Sequence, residues 1–296
     1  MRALIHLRSH APEGPLAVPC REHHQQQLED RSLAIHPTAV IDPKAEVDSS
    51  VEVGAYCIID ADVRVAAGCR LINHVYLTGW TEIGEGCTMH SGVVVGEAPQ
   101  DIKYGGERTY CILGKGTILR EHVTIHRGTV PESQTVVGED CFLLAGSHVG
   151  HNCTVGNRVT LVNDVLLGGH VHVANGVTLG GGAGIHQFVR IGELAMIAGT
   201  GVVTMDILPY AMVNTAGRIA GINRIGLRRA KFSNEEFEDV RNAYRILFGK
   251  GARFNEAAQQ VQNAVTTPAG RRLAEFLVVE SRRGIAGSSR TGKLHT

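Results

Sequence analysis

Cut every six residues, the run from Val137 to Val173 reads VGEDCF LLAGSH VGHNCT VGNRVT LVNDVL LGGHVH V, and every cut opens on Val or Leu. An α-helix returns side chains to one face every three or four residues and a strand every two, so neither explains this spacing. A parallel β-helix does, because each hexad makes one short strand and turn, and stacked coils bury a shared column of side chains. Working outward, the same register extends from Ile35 to Val203, where 26 of 29 positions are aliphatic and only Asp101, Glu107 and Pro131 break it. A β-sandwich rich in Val and Gly would alternate at two with irregular turn spacing. The sequence therefore predicts a β-helix over residues 33–216.

The register lapses after Val95 and after Ile125, and each time it resumes a whole number of hexads later, at Leu113 and Val137. Residues 96–112 and 126–136 are thus expected to be loops thrown out of a coil, and long excursions from a regular scaffold often carry function. Gly follows the repeat aliphatic at ten places, among them Gly54, Gly84, Gly96, Gly150 and Gly168, where a corner is expected to need positive φ or close backbone approach. Cys57, Cys69, Cys87, Cys111, Cys141 and Cys153 all stand two residues before a repeat aliphatic. That is the inward face too, so they read as small core residues. With Cys20 the count is seven, and an odd set without a C-x-x-C fits free thiols in a reducing cytoplasm.

Residues 1–32, rich in His, Gln and charge, read as an N-terminal extension outside the fold. Beyond Val203 the pattern breaks at Asp206-Ile207-Leu208-Pro209-Tyr210 and becomes helical, giving an α-helical domain over 217–283. Ser233-x-x-Glu236 has the form of a capping box before Phe237, Val240, Tyr244 and Leu247 on one face, and further helices are expected near Glu256–Val265 and Arg271–Arg282. A flexible tail is expected over 284–296. The chain's 29 basic and 29 acidic residues cancel, but residues 218–296 hold 15 against 7, a local excess of +8. Such a surface suits an acidic partner or phosphates and equally a solvated helical face. Nothing suggests a nucleic-acid ligand, and no segment has the length and apolarity of a membrane span.

Seven histidines, His122, His126, His148, His151, His170, His172 and His186, fall within one part of the repeat. Three hexads close one coil of a triangular helix, so residues 18 apart stack at roughly 4.8 Å. Asn152 and His170 have that separation, which brings the His151 and His170 imidazoles to one surface. Imidazole is suited to acid–base work near neutral pH. His126, His148 and His151 could also be recruited to zinc, but no acidic or thiolate ligand stands beside them, and no metal or organic cofactor is expected.

Four stretches follow in order: Gln100-Asp101-Ile102-Lys103-Tyr104, Val123-Thr124-Ile125-His126-Arg127-Gly128-Thr129, His148-Val149-Gly150-His151-Asn152-Cys153, and His186-Gln187-Phe188. Together they resemble the acyl-ACP:UDP-N-acetylglucosamine O-acyltransferases that open lipid A biosynthesis, over about residues 34–283. The resemblance implies a left-handed parallel β-helix with a helical C-terminal domain, a homotrimer with sites between subunits, and acyl carrier protein and UDP-N-acetylglucosamine as partners. The reaction implied is transfer of a 3-hydroxyacyl chain to the glucosamine 3-hydroxyl. His151 matches the general base and the Gly169 N–H the donor to the thioester oxygen. Gln100, Asp101, Lys103, His126, His148, His170, His186 and Gln187 match substrate-binding positions, with Asp101 on the sugar and Lys103 on the diphosphate. Asn223 and Arg229 match the nucleotide-binding segment. Asn152, Ile225 and Ala230 depart from the pattern, the first by replacing an acidic neighbour of the base. These departures keep open an N-acyltransferase acting on an amino-sugar nucleotide. The hexapeptide repeat alone is also shared with γ-type carbonic anhydrases and scaffolds.

Overall fold

A computed structural model describes residues 34–249 and 253–288; the N-terminal extension, Cys20 and residues 289–296 lie outside the described residues. Among those described, three sheets of nine, eight and ten strands, parallel except for the last strand of the third, run the length of a coil, beginning with Val40–Ile41, Glu46–Val47 and Glu52–Val53 respectively. Successive strands go to successive sheets, so every third strand pairs, as Val40 with Ile58 and His148 with Leu166. Both pairs are 18 residues apart, the three-hexad coil that the repeat requires.

The excursions obey the same arithmetic. Val94 pairs with Thr124, a separation of 30, and Thr124 with His148, a separation of 24; subtracting 18 leaves 12 and 6, which are whole hexads. The strands continue further into the excursions than the lost register suggests, with Val94–Glu97 leading to Tyr110–Leu113 and Thr124–His126 leading to Gln134–Val137. Their ends zip onto neighbours, Tyr110 lying between Trp80 and Gln134.

Inside the coil, each repeat aliphatic and the residue two before it face the core, while the residue between them faces out. Val165 and Leu167 are buried around an exposed Leu166. Burying a Val, Leu or Ile side chain is worth about 1.5–3 kcal/mol, and from Val53 onward the gain recurs at each repeat aliphatic, whereas Ile35 at the start of the coil is exposed. The six described cysteines are buried free thiols in this column.

The corners refine the reading of the glycines. Of the ten that follow a repeat aliphatic, only Gly96 has positive φ, at 85°. The others are needed for close approach: a Cβ on Gly54 would overlap the Ile72 carbonyl, and one on Gly150 would meet Leu167 O at 2.7 Å. The left-handed residue comes two places later. Tyr56, His122, Asn152, His170 and Phe188 all occupy it, with φ between 58° and 66°.

The coil ends where Ala211–Val213 pairs parallel with Met196–Ile197 but antiparallel with Ile219–Ile222. Four helices follow: α1 (Arg224–Arg229), α2 (Asn234–Leu247), α3 (Phe254–Ala264) and α4 (Pro268–Val278). The Ser233–Glu236 capping box opens α2 with both reciprocal bonds made. Helix α4 starts earlier than its apolar periodicity indicates, because Thr267 caps Gly270 N and Pro268 fills the first helical position, a favourable pairing at a helix start. It also stops earlier, at Val278, since the chain turns back to the coil. Gly284 O accepts from Asp206 N at 2.8 Å and Ala286 N donates to Asp206 O at 2.9 Å. Residues 284–288, expected as the start of a flexible tail, are thus built into the end of the sheet. Tyr244 docks α2 by donating to Pro209 O at 2.6 Å, and Arg272 of α4 donates to Glu193 at 2.8 Å.

Candidate active site

One edge of the prism, where the chain passes from the nine-stranded to the eight-stranded sheet, collects most of the candidate residues. Both excursions leave from it, and in the next coils it is formed by Gly150–Asn152, Gly168–His170 and His186–Phe188. The two residues per strand leave these corners no freedom to wander: His170 N donates to His151 O, and Phe188 N to Gly169 O, at 2.9 and 3.1 Å.

The His151 and His170 rings meet edge to face with centroids 5.2 Å apart, and Phe188 stacks on His170 at 4.6 Å. His126 and His148 form a second edge-to-face pair at 4.8 Å. His151 Nδ1 lies 2.9 Å from Asn152 Oδ1, which also accepts from Thr129 Oγ1 at 2.8 Å. An amide oxygen only accepts, so this contact puts the proton on Nδ1 and leaves Nε2 free as a base. That nitrogen lies over Gly169, where a Cβ would collide with the imidazole. The flanking N–H groups are committed, Gly168 to Ile185 O and His170 to His151 O, both at 2.9 Å, whereas among the described residues the backbone ladder does not use the Gly169 N–H.

Burial sets the charge state of the surrounding imidazoles. Desolvation, followed by the neighbouring His126 and His151, pulls His148 down to about 4. Desolvation is also the main cause that lowers His126 and His170. These shifts favour the neutral rings, which can offer hydrogen bonds and shape rather than charge; Thr124 Oγ1 lies 2.7 Å from His148 Nδ1. His126 is buried, and its Nδ1 has no hydrogen-bond partner among the described residues.

The other candidates divide by location. Gln100, Asp101 and Lys103 ride on the first excursion, with Gln100 and Lys103 exposed and Asp101 accepting from Lys103 N at 2.9 Å. The Asp101 charge reaches His170, where it opposes the desolvation shift. His186 and Gln187 are exposed on the histidine edge. Asn223 and Arg229 are elsewhere. Asn223 caps α1 through Gly226 N and donates to Leu194 O at 2.8 Å, which puts it at the following edge of the prism, and Arg229 is exposed in the last turn of α1. His122 and His172 also leave the histidine edge, at another corner and on a strand. Among the described residues no group of three His, Cys, Asp or Glu is arranged to hold a metal ion.

Several participants were not singled out from the sequence. Thr124 and Thr129 carry no signal as single residues, although both lie in the Val123–Thr129 stretch. Arg127 ties the two excursions together through Gly96 O at 2.6 Å and Tyr104 Oη at 3.2 Å. Phe188 and Arg282, whose guanidinium sits 5.1 Å from the Phe188 ring, extend the stack from His170. Their contacts join neighbouring coils, or a coil and the C-terminal segment, so residues far apart in sequence meet, which no local pattern encodes.

Comparison with known proteins places this geometry. Residues 206–286 match the model for domain 2 of UDP-N-acetylglucosamine O-acyltransferase, and residues 134–169 match the bacterial transferase hexapeptide model. The chain is 42% identical over 254 residues to the acyl-[acyl-carrier-protein]–UDP-N-acetylglucosamine O-acyltransferase of Thermodesulfovibrio yellowstonii, covering 85% of this chain and 98% of that protein. It belongs to the UDP-N-acetylglucosamine O-acyltransferase family. Solved members agree in fold. The Francisella novicida UDP-N-acetylglucosamine acyltransferase superposes with a TM-score of 0.83 at 31% identity, over 86% of this chain and 95% of that one. The Moraxella catarrhalis UDP-N-acetylglucosamine O-acyltransferase gives 0.82 at 34%, over 86% and 100%. The three-faced coil is accordingly the left-handed parallel β-helix of this acyltransferase family.

Proposed function

We propose that this acyltransferase moves a 3-hydroxyacyl chain from acyl carrier protein to the 3-hydroxyl of UDP-N-acetylglucosamine, the first step of lipid A biosynthesis, with His151 as general base. The carrying observation is the His151 imidazole, tied at Nδ1 to Asn152 and presenting Nε2 over Gly169. A sugar hydroxyl attacks a thioester poorly unless its proton is removed, and a neutral imidazole can take it near pH 7. Nε2 accepts the proton as the sugar oxygen bonds to the acyl carbon. The oxyanion that develops accepts from the Gly169 N–H, a donor worth about 2.7–4 kcal/mol in comparable sites. Collapse breaks the carbon–sulfur bond, and the proton on Nε2 passes to the departing thiolate, leaving ester and free thiol with His151 neutral again. The step draws on protein groups alone.

Around this centre, His126, His148, His170, His186 and Gln187 position the sugar and acyl chain, while Gln100, Asp101 and Lys103 reach in from the first excursion. Asn223 and Arg229 stand on another edge of the same chain, an arrangement that fits nucleotide contacts made to the histidine edge of a neighbouring subunit. A homotrimer with sites between subunits supplies it. Free buried thiols fit a reducing compartment and support a place in the cytoplasm.

The test is acyl transfer by purified protein to UDP-N-acetylglucosamine and to its 3-amino analogue, across acyl-ACP lengths. His151→Ala is expected to lower turnover by about two to four orders of magnitude, the range of a positioned base, with the fold retained. Near-normal turnover by that variant would remove His151 from its role, and preference for the amine would reassign the acceptor.

A further inference from the structure

We propose that Thr129, on the second excursion, is a positioning residue for the base: its hydroxyl holds the Asn152 side chain against His151. The inference rests on the reading of His151 as base and asks what keeps that base aimed. Asn152 is fixed through its backbone, which takes the left-handed corner at φ 59° and donates its N–H to Thr135 Oγ1 at 2.7 Å. Its side-chain torsions are not fixed by those bonds. On a half-exposed corner the amide would otherwise exchange His151 for water, since a single neutral hydrogen bond is a weak tether there.

Thr129 supplies the second tether. Its Oγ1 lies 2.8 Å from Asn152 Oδ1, the same oxygen that faces His151 Nδ1 at 2.9 Å. Both lone pairs of that oxygen are then used, one by each neighbour, and the side chain is held from two directions. The position of Thr129 is itself built. Gly128 N donates to Tyr110 O at 3.3 Å, Glu132 N to Arg108 O at 2.9 Å and Val130 N to Ser133 Oγ at 3.1 Å, and a Cβ on Gly128 would overlap Ser133. The six residues added to this coil thus place one hydroxyl on the residue that orients the base. The need is specific to an asparagine at 152: a carboxylate accepts at either oxygen, whereas an amide has one accepting end and loses its hold on Nδ1–H when it turns.

A double-mutant cycle tests this, using Thr129→Val, Asn152→Gly and their combination, with Thr129→Ser as the conservative variant. Glycine suits the left-handed corner, so Asn152→Gly removes the amide without straining the backbone. Thr129→Val should lower kcat about fivefold to tenfold, the worth of one hydrogen bond, and leave KM for both substrates within about twofold; Thr129→Ser should restore it. In the Asn152→Gly background the valine should cost nothing further. Unchanged kcat in Thr129→Val, or the same loss in both backgrounds, would overturn the proposal, the latter by showing that Thr129 acts independently of Asn152. His151→Ala, measured alongside, separates the two readings. If it stays active the base assignment fails; if it is inactive while Thr129→Val is normal, only the positioning role fails. Circular dichroism and gel filtration of each variant confirm that a loss of rate is not a loss of fold.

Discussion

His148 shows how a site can be tuned by burial without a nearby carboxylate. Its pKa is pulled from 6.5 to about 4, chiefly by desolvation and then by two neighbouring imidazoles. Because the folded value is the lower one, the unfolded chain binds a proton in that interval and the folded chain does not. Stability from this group is therefore complete above about pH 6.5 and is lost as pH falls towards 4, with an upper bound of roughly 3 kcal/mol. Unfolding free energies between pH 4.5 and 7 should fall more steeply with acid for the natural chain than for His148→Gln. Equal slopes would show that His148 is solvated in the fold. At this scale the sequence was informative about residue type and stacking: the 18-residue coil brings His151 to His170 by arithmetic alone. The tautomer of His151 was not legible, because it depends on Thr129 and Asn152 meeting across two coils.

Short strands, corners and helix caps differ in how openly they are written. The hexad column was legible throughout, since burial of every sixth side chain leaves no alternative phase, and the Ser233–Glu236 box marked the start of α2. The glycines after the repeat aliphatics left positive φ and close approach open, and only the three-dimensional path decides for close approach at all but Gly96 and puts the left-handed residue two places later. Where side chains are wanted at the active edge, Asn152, His170 and Phe188 occupy that corner at a cost of about 1–2 kcal/mol each. Most hidden was the closure of the coil by the C-terminal segment. Asp206, wholly buried, accepts from Arg190 N at 2.8 Å and Nε at 2.7 Å, and Arg190 stacks on Phe276 of α4 at 4.5 Å. The same Asp206 pairs through its backbone with Ile285. In sequence Asp206 is simply a break in the repeat. Asp206→Asn would leave the Arg190 charge largely buried without its counter-charge, and is expected to cost about 3–5 kcal/mol in denaturant unfolding. A loss under about 1 kcal/mol would mean that water already compensates this pair.

For the whole molecule, the decisive fact is that one chain does not bring all its candidate residues together. The histidine edge carries His151, Gly169 and His170, while Asn223 and Arg229 lie with α1 beside the next edge, where Asn223 is already engaged to Gly226 and Leu194. On the proposed reading, in which Asn223 and Arg229 hold the nucleotide, a closed ring of copies sets α1 of one subunit against the histidine edge of another. Head-to-tail contacts form a cyclic oligomer when the rotation between copies closes. The arrangement makes a prediction that activity of a single variant cannot make. His151→Ala and Arg229→Ala should each be impaired alone, the first in turnover and the second mainly in binding of the nucleotide sugar. When the two are co-expressed so that subunits mix, some interfaces will join the intact histidine edge of an Arg229→Ala subunit to the intact α1 of a His151→Ala subunit. With equal random mixing in a trimer, about a quarter of the sites are of this kind, and activity at subsaturating nucleotide sugar should recover to about that fraction of the natural enzyme. Purified parents mixed without subunit exchange serve as the control. If co-expressed protein is no more active than the average of its parents, Arg229 serves the site of its own chain or none, and the nucleotide site is not shared between subunits.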